Sequence, residues 1–404
     1  MKRLRDLSDL AILGGKPTFD EPLMVGRPNL GSRTAFLAQA GQILDRGRLT
    51  NFGPTVREFE ERLAAFLGVR HVITVCNATV GLELAARALD LEGEVILPSF
   101  TFIATAHALH SMGVTPVFAD VKDRTHHLDP AAVRRAITAR TTAILGVQLW
   151  GRACEVEALT GIAEEYGLRL LFDAAHAFAS AQGGRMIGSF GDCEVLSFHA
   201  TKFFNTFEGG AICTNHDDLA ERIRLMSNFG FQGNDRVVCH GLNAKMSEIC
   251  AAMGLVNLDE IDRFMAVNRR NYEAYQRCLA DIPGIELMRI DDTEQINRQY
   301  VVVEIDSETF GLSRDALCHI CEAENLLVRR YFHPGCHRME PYRSMRPRSA
   351  QPLPRTERIT ERVLVLPTGT QITPAEIDRI ATFLAFVQQN SADIDQLQDC
   401  CAVA

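Results

Sequence analysis

Residues 194–210 read EVLSFHATKFFNTFEGG. The run Glu194–Phe198 is a strand pattern; a polar turn follows, carrying Lys202, and Gly209 and Gly210 close it. Ligands in open α/β sheets bind at such strand ends. A lysine held there among Phe198, Phe203 and Phe204 loses hydration, which lowers its pKa and makes it a better nucleophile toward a carbonyl. Taken alone, Lys202 also fits an ordinary surface lysine.

Working outward, the surroundings repeat the same rhythm. HVITVCN, EVILPSF, TPVFADV, TTAILGVQ and LRLLFDAA are short apolar strand patterns. Helical stretches such as VREFEERLAAFLG, VGLELAARAL and TAHALHSMG separate them. Alternation of this kind predicts a mostly parallel sheet covered by helices on both faces. Helices follow from about 246 to 281. Then come a strand in QYVVVEID, a helix in SRDALCHICEAEN, a strand in NLLVRRYF and a last helix in PAEIDRIATFLAFVQQN. This pattern predicts a large α/β domain, residues 1–255, and a smaller C-terminal α/β domain, residues 256–404. The first 30 or so residues are expected to pack on the smaller domain or on a partner. HPGCHRMEPYRSMRPRSAQPLP, rich in Pro and Arg, reads as a long loop of the kind that shapes a site.

Further residues carry chemistry. Asp173 ends the strand in LRLLFD, where a carboxylate can face a ligand; its alternative reading is a cap for AAHAFAS. His176, three residues on, is placed beside the same ligand or is a packed histidine between helix and sheet. CNATVGLEL sets a polar turn before a helix, so the backbone N–H groups of Ala78, Thr79 and Val80 can bind a phosphate; simple capping by Asn77 or Thr79 reads equally well. Ser197, five residues before Lys202, can donate to the same phosphate. Each signal is weak alone, and their joint order is specific.

The chain has 404 residues and a formal net charge of −9, against general nucleic-acid binding. No apolar run reaches the roughly 20 residues of a membrane span, and the N-terminus, broken by Asp6 and Asp9, reads as mature and cytoplasmic. Twelve cysteines are expected to be reduced thiols. Cys318 and Cys321, with Cys336 and His337 downstream, raise a zinc site, but RDALCHICEAEN reads as an amphipathic helix and no second CxxC follows; no metal is expected.

At this point the pattern resembles the DegT/DnrJ/EryC1/StrS sugar aminotransferases, which have the fold-type I architecture of pyridoxal-phosphate (PLP) enzymes. The resemblance runs through TNFGPTVREFE, CNATVGLEL, PSFTFIATAHAL, FDAAHAFAS, SFHATKFFNTFEGGAICTN, NAKMSEICAAMGL and VLPTG. It implies that Lys202 bonds PLP and then shuttles a proton, that Asp173 pairs with the pyridine nitrogen, and that His176 lies beside the ring. It implies stacking by Phe102 and phosphate contacts from Thr79, Val80 and Ser197. Asn243 is implied to reach the phosphate from a second subunit, hence a homodimer with shared sites; Lys245 stands where many members have Arg. LWGR, YFHPGCHRMEPY and LPTGT point within the family to TDP-4-keto-6-deoxyglucose 4-aminotransferases of deoxysugar pathways in antibiotic biosynthesis. L-Glutamate is then the amino donor, TDP-4-amino-4,6-dideoxy-D-glucose the product, and PLP cycles through pyridoxamine phosphate. Arg329, Arg330, Arg338, Lys245, Tyr331, His333 and His337 are candidates for holding the sugar nucleotide. Amination at C3 of a 3-keto sugar is the nearest alternative. A sugar dehydratase of the same fold is disfavoured by Lys202, because the related C3 dehydratases carry His there.

Overall fold

The computed structural model describes residues 4–290, 294–345 and 350–402, without side-chain detail beyond 396. Seven strands build the central sheet: β1 (His71–Val75), β2 (Glu94–Pro98), β3 (Thr115–Ala119), β4 (Thr141–Val147), β5 (Arg169–Asp173), β6 (Cys193–Ser197) and β7 (Gly210–Thr214). Their order across the sheet is β1-β7-β6-β5-β4-β2-β3. Only β7 runs against its neighbours, β1 and β6. GAICT was not read as a strand in the sequence. It is one because it returns directly from the lysine turn, and a return this short can only pair antiparallel with the strand it leaves.

The sheet is buried on both sides. On β2, Val95 and Leu97 join one core cluster, while Ile96 between them joins another. This is the alternation of a pleated strand with apolar cover on each face. The cover comes from helices α2 (Pro54–Leu67), α3 (Ala78–Ala88), α4 (Ile103–His110), α5 (Pro130–Ala136), α6 (Val156–Tyr166), α7 (Asp217–Met226) and α8 (Glu248–Leu258), while the largely exposed α1 (Arg33–Arg46) packs on α8. α2 begins with Pro54 at its first turn and ends at Gly68 in the left-handed region, the usual start and stop chemistry. Its entry is fixed by the buried Glu248, whose carboxylate accepts the N–H groups of Thr55 and Val56 at 2.9 and 3.0 Å.

α9 (Ile261–Cys278) leads to the second part. Ile261 and Phe264 at its start pack in the sheet's core, whereas Ala274 and Tyr275 near its end belong to a third cluster. There β8 (Ile285–Leu287), β9 (Val301–Ile305) and β10 (Val363–Leu366) form an antiparallel sheet, packed with α10 (Arg314–Ala323), α11 (Pro354–Arg362) and α12 (Pro374–Gln389). Leu10, Phe19 and Leu23 of the N-terminal segment lie in this third cluster, and Leu23–Met24 pairs in parallel with Leu326–Leu327. The strand expected in NLLVRRYF is thus only two residues long, with one further bridge from Arg329 to Val365. The loop expected after His333 contains a helical turn at Cys336–Arg338 and a short helix at Tyr342–Met345; residues 346–349 lie outside the described residues. Cys318 and Cys321 both sit on α10. Among the described residues no three His, Cys, Asp or Glu side chains gather as a metal site, and no helix is long and apolar enough to cross a membrane.

Candidate active site

The carboxyl ends of β5 and β6, the start of α3 and the entry to β9 meet at a cavity of about 610 Å³. Ala78, Thr79, Val80, Phe102, Asp173, His176, Ser197, Lys202 and Tyr331 all line it.

Lys202 stands on the turn between β6 and β7. Phe198, Phe203 and Phe204 are buried beneath that turn, in the cluster with Phe59 and Phe178. They do not enclose the ammonium, as the sequence suggested; they root the turn in the core, and none of them lines the cavity. The neighbours of Nζ come from elsewhere. Tyr300, just before β9, has its hydroxyl 3.2 Å away. Burial lowers the Lys202 pKa below the ordinary lysine value, and Tyr331 and Asp173 partly offset it. A larger neutral fraction makes the amine a better nucleophile and base.

Asp173 is the last residue of β5 and buried. Its Oδ2 accepts from the Thr105 hydroxyl at 2.7 Å and its Oδ1 from the Ala175 N–H at 3.1 Å. Burial pushes the carboxyl pKa up, while Thr105, Ala175 and Lys202 pull it down, and burial outweighs them. The segment AAHAFAS is a run of turns, not a helix, so no helix is there for Asp173 to cap. His176 follows on those turns. Its carbonyl accepts from Asn297 Nδ2 at 2.8 Å and Gln299 Nε2 at 2.5 Å. Its ring lies 4.5 Å from the Tyr300 ring and stacks on Trp150 and Phe332 at 5.9 and 6.0 Å. Burial, then the charge of Lys202, holds the imidazole pKa well below its ordinary value, so the ring is neutral near pH 7. Its Nδ1 is buried with no hydrogen-bond partner among the described residues.

α3 points its first turn at the same space. Asn77 caps it, with Oδ1 accepting the Val80 N–H at 2.9 Å. That N–H, one of the three offered by the sequence for a phosphate, is therefore taken. The N–H groups of Ala78 and Thr79 have no intrahelical partner. Ser197 Oγ accepts weakly from His199 N–H at 3.4 Å, leaving its own proton to donate. Phe102 precedes α4 and is 57% exposed.

The remaining candidates lie outside this cavity. Asn243 and Lys245 sit on a neighbouring segment, where Lys245 Nζ donates to Asn243 Oδ1 at 2.7 Å and Asn228 Oδ1 at 2.8 Å. Arg330 pairs with Asp315 at 3.0 Å and Arg338 with Glu357 at 3.1 Å. Arg329 is exposed, and its backbone bridges Val365. His333 Nδ1 lies 3.4 Å from an Arg314 nitrogen, and His337 is buried 2.6 Å from the Ser99 hydroxyl. Sequence reading missed Tyr300, Thr105 and Trp150 as parts of the site. All three stand in stretches it singled out, but their contacts bridge long separations that no local pattern reports.

Comparison with known proteins gives a consistent picture. The profile of the DegT/DnrJ/EryC1/StrS aminotransferase family matches residues 32–385. The dTDP-4-amino-4,6-dideoxy-D-glucose transaminase of Escherichia coli is 35% identical over 366 residues, 90% of this chain and 98% of that protein. The GDP-perosamine synthase of Caulobacter vibrioides is 34% identical, over 85% of this chain and 92% of its own length. The crystal structure of DesI in the presence of its TDP-sugar product superposes with a TM-score of 0.94 at 50% identity, over 98% of this chain and all of that one. The S. venezuelae DesV structure, in complex with a ketimine intermediate, gives 0.82 at 30% identity over 88% of this chain and 95% of that one. With its mostly parallel sheet, smaller C-terminal α/β layer and full-length relatives, the chain belongs to the DegT/DnrJ/EryC1/StrS aminotransferase family.

Proposed function

We propose that this chain is a PLP-dependent nucleotide-sugar aminotransferase that transfers the amino group of L-glutamate to C4 of TDP-4-keto-6-deoxy-D-glucose. The observation that carries the reading is the convergence of Lys202, Asp173, His176 and the open start of α3 on one cavity. The TDP-sugar product of DesI, the relative with 50% identity, supports the nucleotide and sugar class.

The residues present fit PLP. Its phosphate suits the Ala78 and Thr79 N–H groups at a helix N-terminus, with the Ser197 hydroxyl beside them. Gly210 stands behind that turn: a Cβ there would come within 2.9 Å of the Ala78 nitrogen, so the strand backbone closes on the helix start. The ring suits the space between Phe102 and the neutral His176, and its protonated nitrogen suits Asp173. When bound, PLP supplies an electron sink for the pair released as the donor's C–H bond breaks. Lys202 Nζ, lowered in pKa, takes that proton as a base, and in the sugar half of the cycle the same nitrogen, protonated, delivers a proton to the sugar carbon. Thr105 and Ala175, donating to Asp173, favour its ionised form against burial. The Tyr300 hydroxyl steers Nζ between the two carbons. Homodimerisation, with Asn243 and Lys245 reaching the neighbouring subunit's site, completes the proposal.

The test is the absorbance of the purified protein with PLP. L-Glutamate should bleach the yellow band and TDP-4-keto-6-deoxy-D-glucose should restore it. Restoration only by a 3-keto sugar would move the amination to C3. No band at all, or wild-type turnover by Lys202→Ala, would overturn the reading.

A further inference from the structure

Trp150 is the single tryptophan of the chain, 1% exposed, and it lies immediately behind the cavity wall. It stacks on His176 and Phe332 and meets the Tyr300 ring edge-on at 5.5 Å. Tyr300 is in turn the hydrogen-bond partner of Lys202. The indole therefore touches both the ring beside the cofactor space and the group that steers the lysine.

Its own conformation is not one the backbone prefers. Trp150 has φ of 60°, in the left-handed region that bulky residues avoid. Two adjacent histidines hold it there. His127 Nε2 lies 3.3 Å from the Leu149 carbonyl, and burial, then the nearby Arg152, pushes the His127 pKa down to about 3. That neutral ring donates to the carbonyl just before Trp150. His126, itself at φ of 60°, lies with Nδ1 3.2 Å from the indole nitrogen. An indole N–H can only donate. His126 Nδ1 must accept, so its proton is on Nε2, which faces Glu304 Oε1 at 3.0 Å. Glu304 lies on β9, four residues after Tyr300. The partner of Lys202, immediately before β9, and the anchor of the histidine that orients the indole, on β9, thus stand on one short segment.

We propose that Glu304 and His126 are positioning residues: they lock the tautomer that receives the Trp150 N–H, and through the indole set His176 and Tyr300 against Lys202. This rests on the reading of the cavity as the transamination site. A pure packing role predicts that any well-packed apolar replacement at 304 or 126 serves as well. The hydrogen-bond chain predicts that it does not, and that rescue follows the acceptor.

Trp150 reports on itself, because all tryptophan fluorescence comes from it. Glu304→Leu and His126→Leu remove successive links; Glu304→Gln keeps an acceptor for the Nε2 proton, and His126→Asn keeps one for the indole at a position whose φ suits asparagine. The PLP-free wild type should emit as a buried indole with little acrylamide quenching. Both Leu variants should shift emission to the red and quench more strongly, with Glu304→Gln returning to wild type and His126→Asn, which keeps the indole's acceptor but loses the Glu304 anchor, returning only part of the way. Per PLP-loaded site, kcat should fall on the order of tenfold or more in the Leu variants, KM changing less, since misplacing reacting groups costs turnover. Unchanged emission in a folded Leu variant overturns the proposal, as does shifted emission with unchanged kcat per loaded site. Should a Leu variant not fold, Glu304→Gln and His126→Asn carry the test: Asn releases the Glu304 link alone, and indole emission and kcat both at wild type in it overturn Glu304's role. If the wild type lacked transaminase activity, the cavity's assignment would fail, while the fluorescence would still decide whether the chain of bonds holds the indole.

Discussion

Asp173 is a carboxylate placed where burial favours its neutral form, and the Thr105 hydroxyl is the largest force acting against that. Thr105→Val removes the 2.7 Å bond and nearly keeps the shape. Losing a donor to the ionised form raises the pKa further, so the acid limb of the kcat/KM profile should move to higher pH, with a smaller effect well above it. Asp173→Asn removes the charge at every pH and should lower kcat by about 100-fold or more, on the scale of losing one preorganised electrostatic contact. A profile with an unmoved acid limb in Thr105→Val would detach Asp173 from the pH dependence. A second buried carboxyl, Glu194 on β6, acts on stability instead. It accepts from Gln148 Nε2 and from the Gly188 and Phe190 N–H groups, yet burial pushes its pKa up to about 7. A carboxyl whose folded pKa is raised binds protons more tightly when folded. Its stabilising contribution is therefore full below the unfolded value of 4.5 and is lost as pH rises through about 7. The whole effect is about 3 kcal/mol at one pKa unit per 1.36 kcal/mol. Glu194→Gln should flatten the fall of Tm between pH 5 and 8, whatever its absolute Tm, and an unchanged slope would reject the assignment.

Elements explain which parts of this site were legible beforehand. Strands β1 to β6 and helices α2, α3 and α4 stand in the sequence as runs of the right period bounded by Gly or polar turns. Lys202, Asp173, His176 and the α3 start are placed by local grammar: each sits at a strand end or within five residues past one. β7 was hidden, because the period of two says nothing about direction or partner. Tyr300 and Thr105 were hidden for the same reason at the level of side chains; their roles exist only once β9 and α4 are brought beside β5 and β6. At Val80 the local pattern does not report that the preceding asparagine already accepts its N–H. β7 matters for that turn. At Gly210 an added Cβ would lie 2.7 Å from the Leu196 carbonyl and 2.9 Å from the Ala78 nitrogen, both backbone atoms that cannot swing aside. Gly210→Ala should push the α3 start outward and weaken PLP binding by about tenfold or more, the cost of one lost charge-assisted hydrogen bond of about 1.5–3 kcal/mol. Spectroscopic titration with PLP measures it, and wild-type affinity would show the turn to be tolerant.

At the scale of the whole molecule, α9 passes from the sheet's core to the C-terminal core along its length, so we propose that the two units divide along this helix rather than at one peptide bond. The N-terminal segment belongs with the second unit: Glu324 there accepts the Ala11 and Thr18 N–H groups, both at 2.6 Å. What a single copy leaves unaccounted for is Lys245. Its ammonium lies over the Phe229 ring at 4.7 Å and is held by two asparagines, with its pKa lowered by burial, yet it faces no part of its own chain's cavity. Leu37, Leu44, Phe207, Phe229, Val237 and Ile249 are exposed, and we propose that they meet a second copy. If Asn243 and Lys245 serve the neighbouring subunit's site, the two kinds of damage are separable between chains. Lys202→Ala inactivates the site of its own chain; Asn243→Ala with Lys245→Ala inactivates the site across the interface. In a mixed dimer both lesions then fall on one site, and the other is intact. Equal amounts of the two inactive proteins, exchanged through unfolding and refolding, should recover about a quarter of wild-type activity, from half the molecules with one good site each. If all three residues served the site of their own chain, each site of the mixed dimer would carry one lesion and mixing would recover nothing. Recovery thus reads directly which chain Lys245 serves.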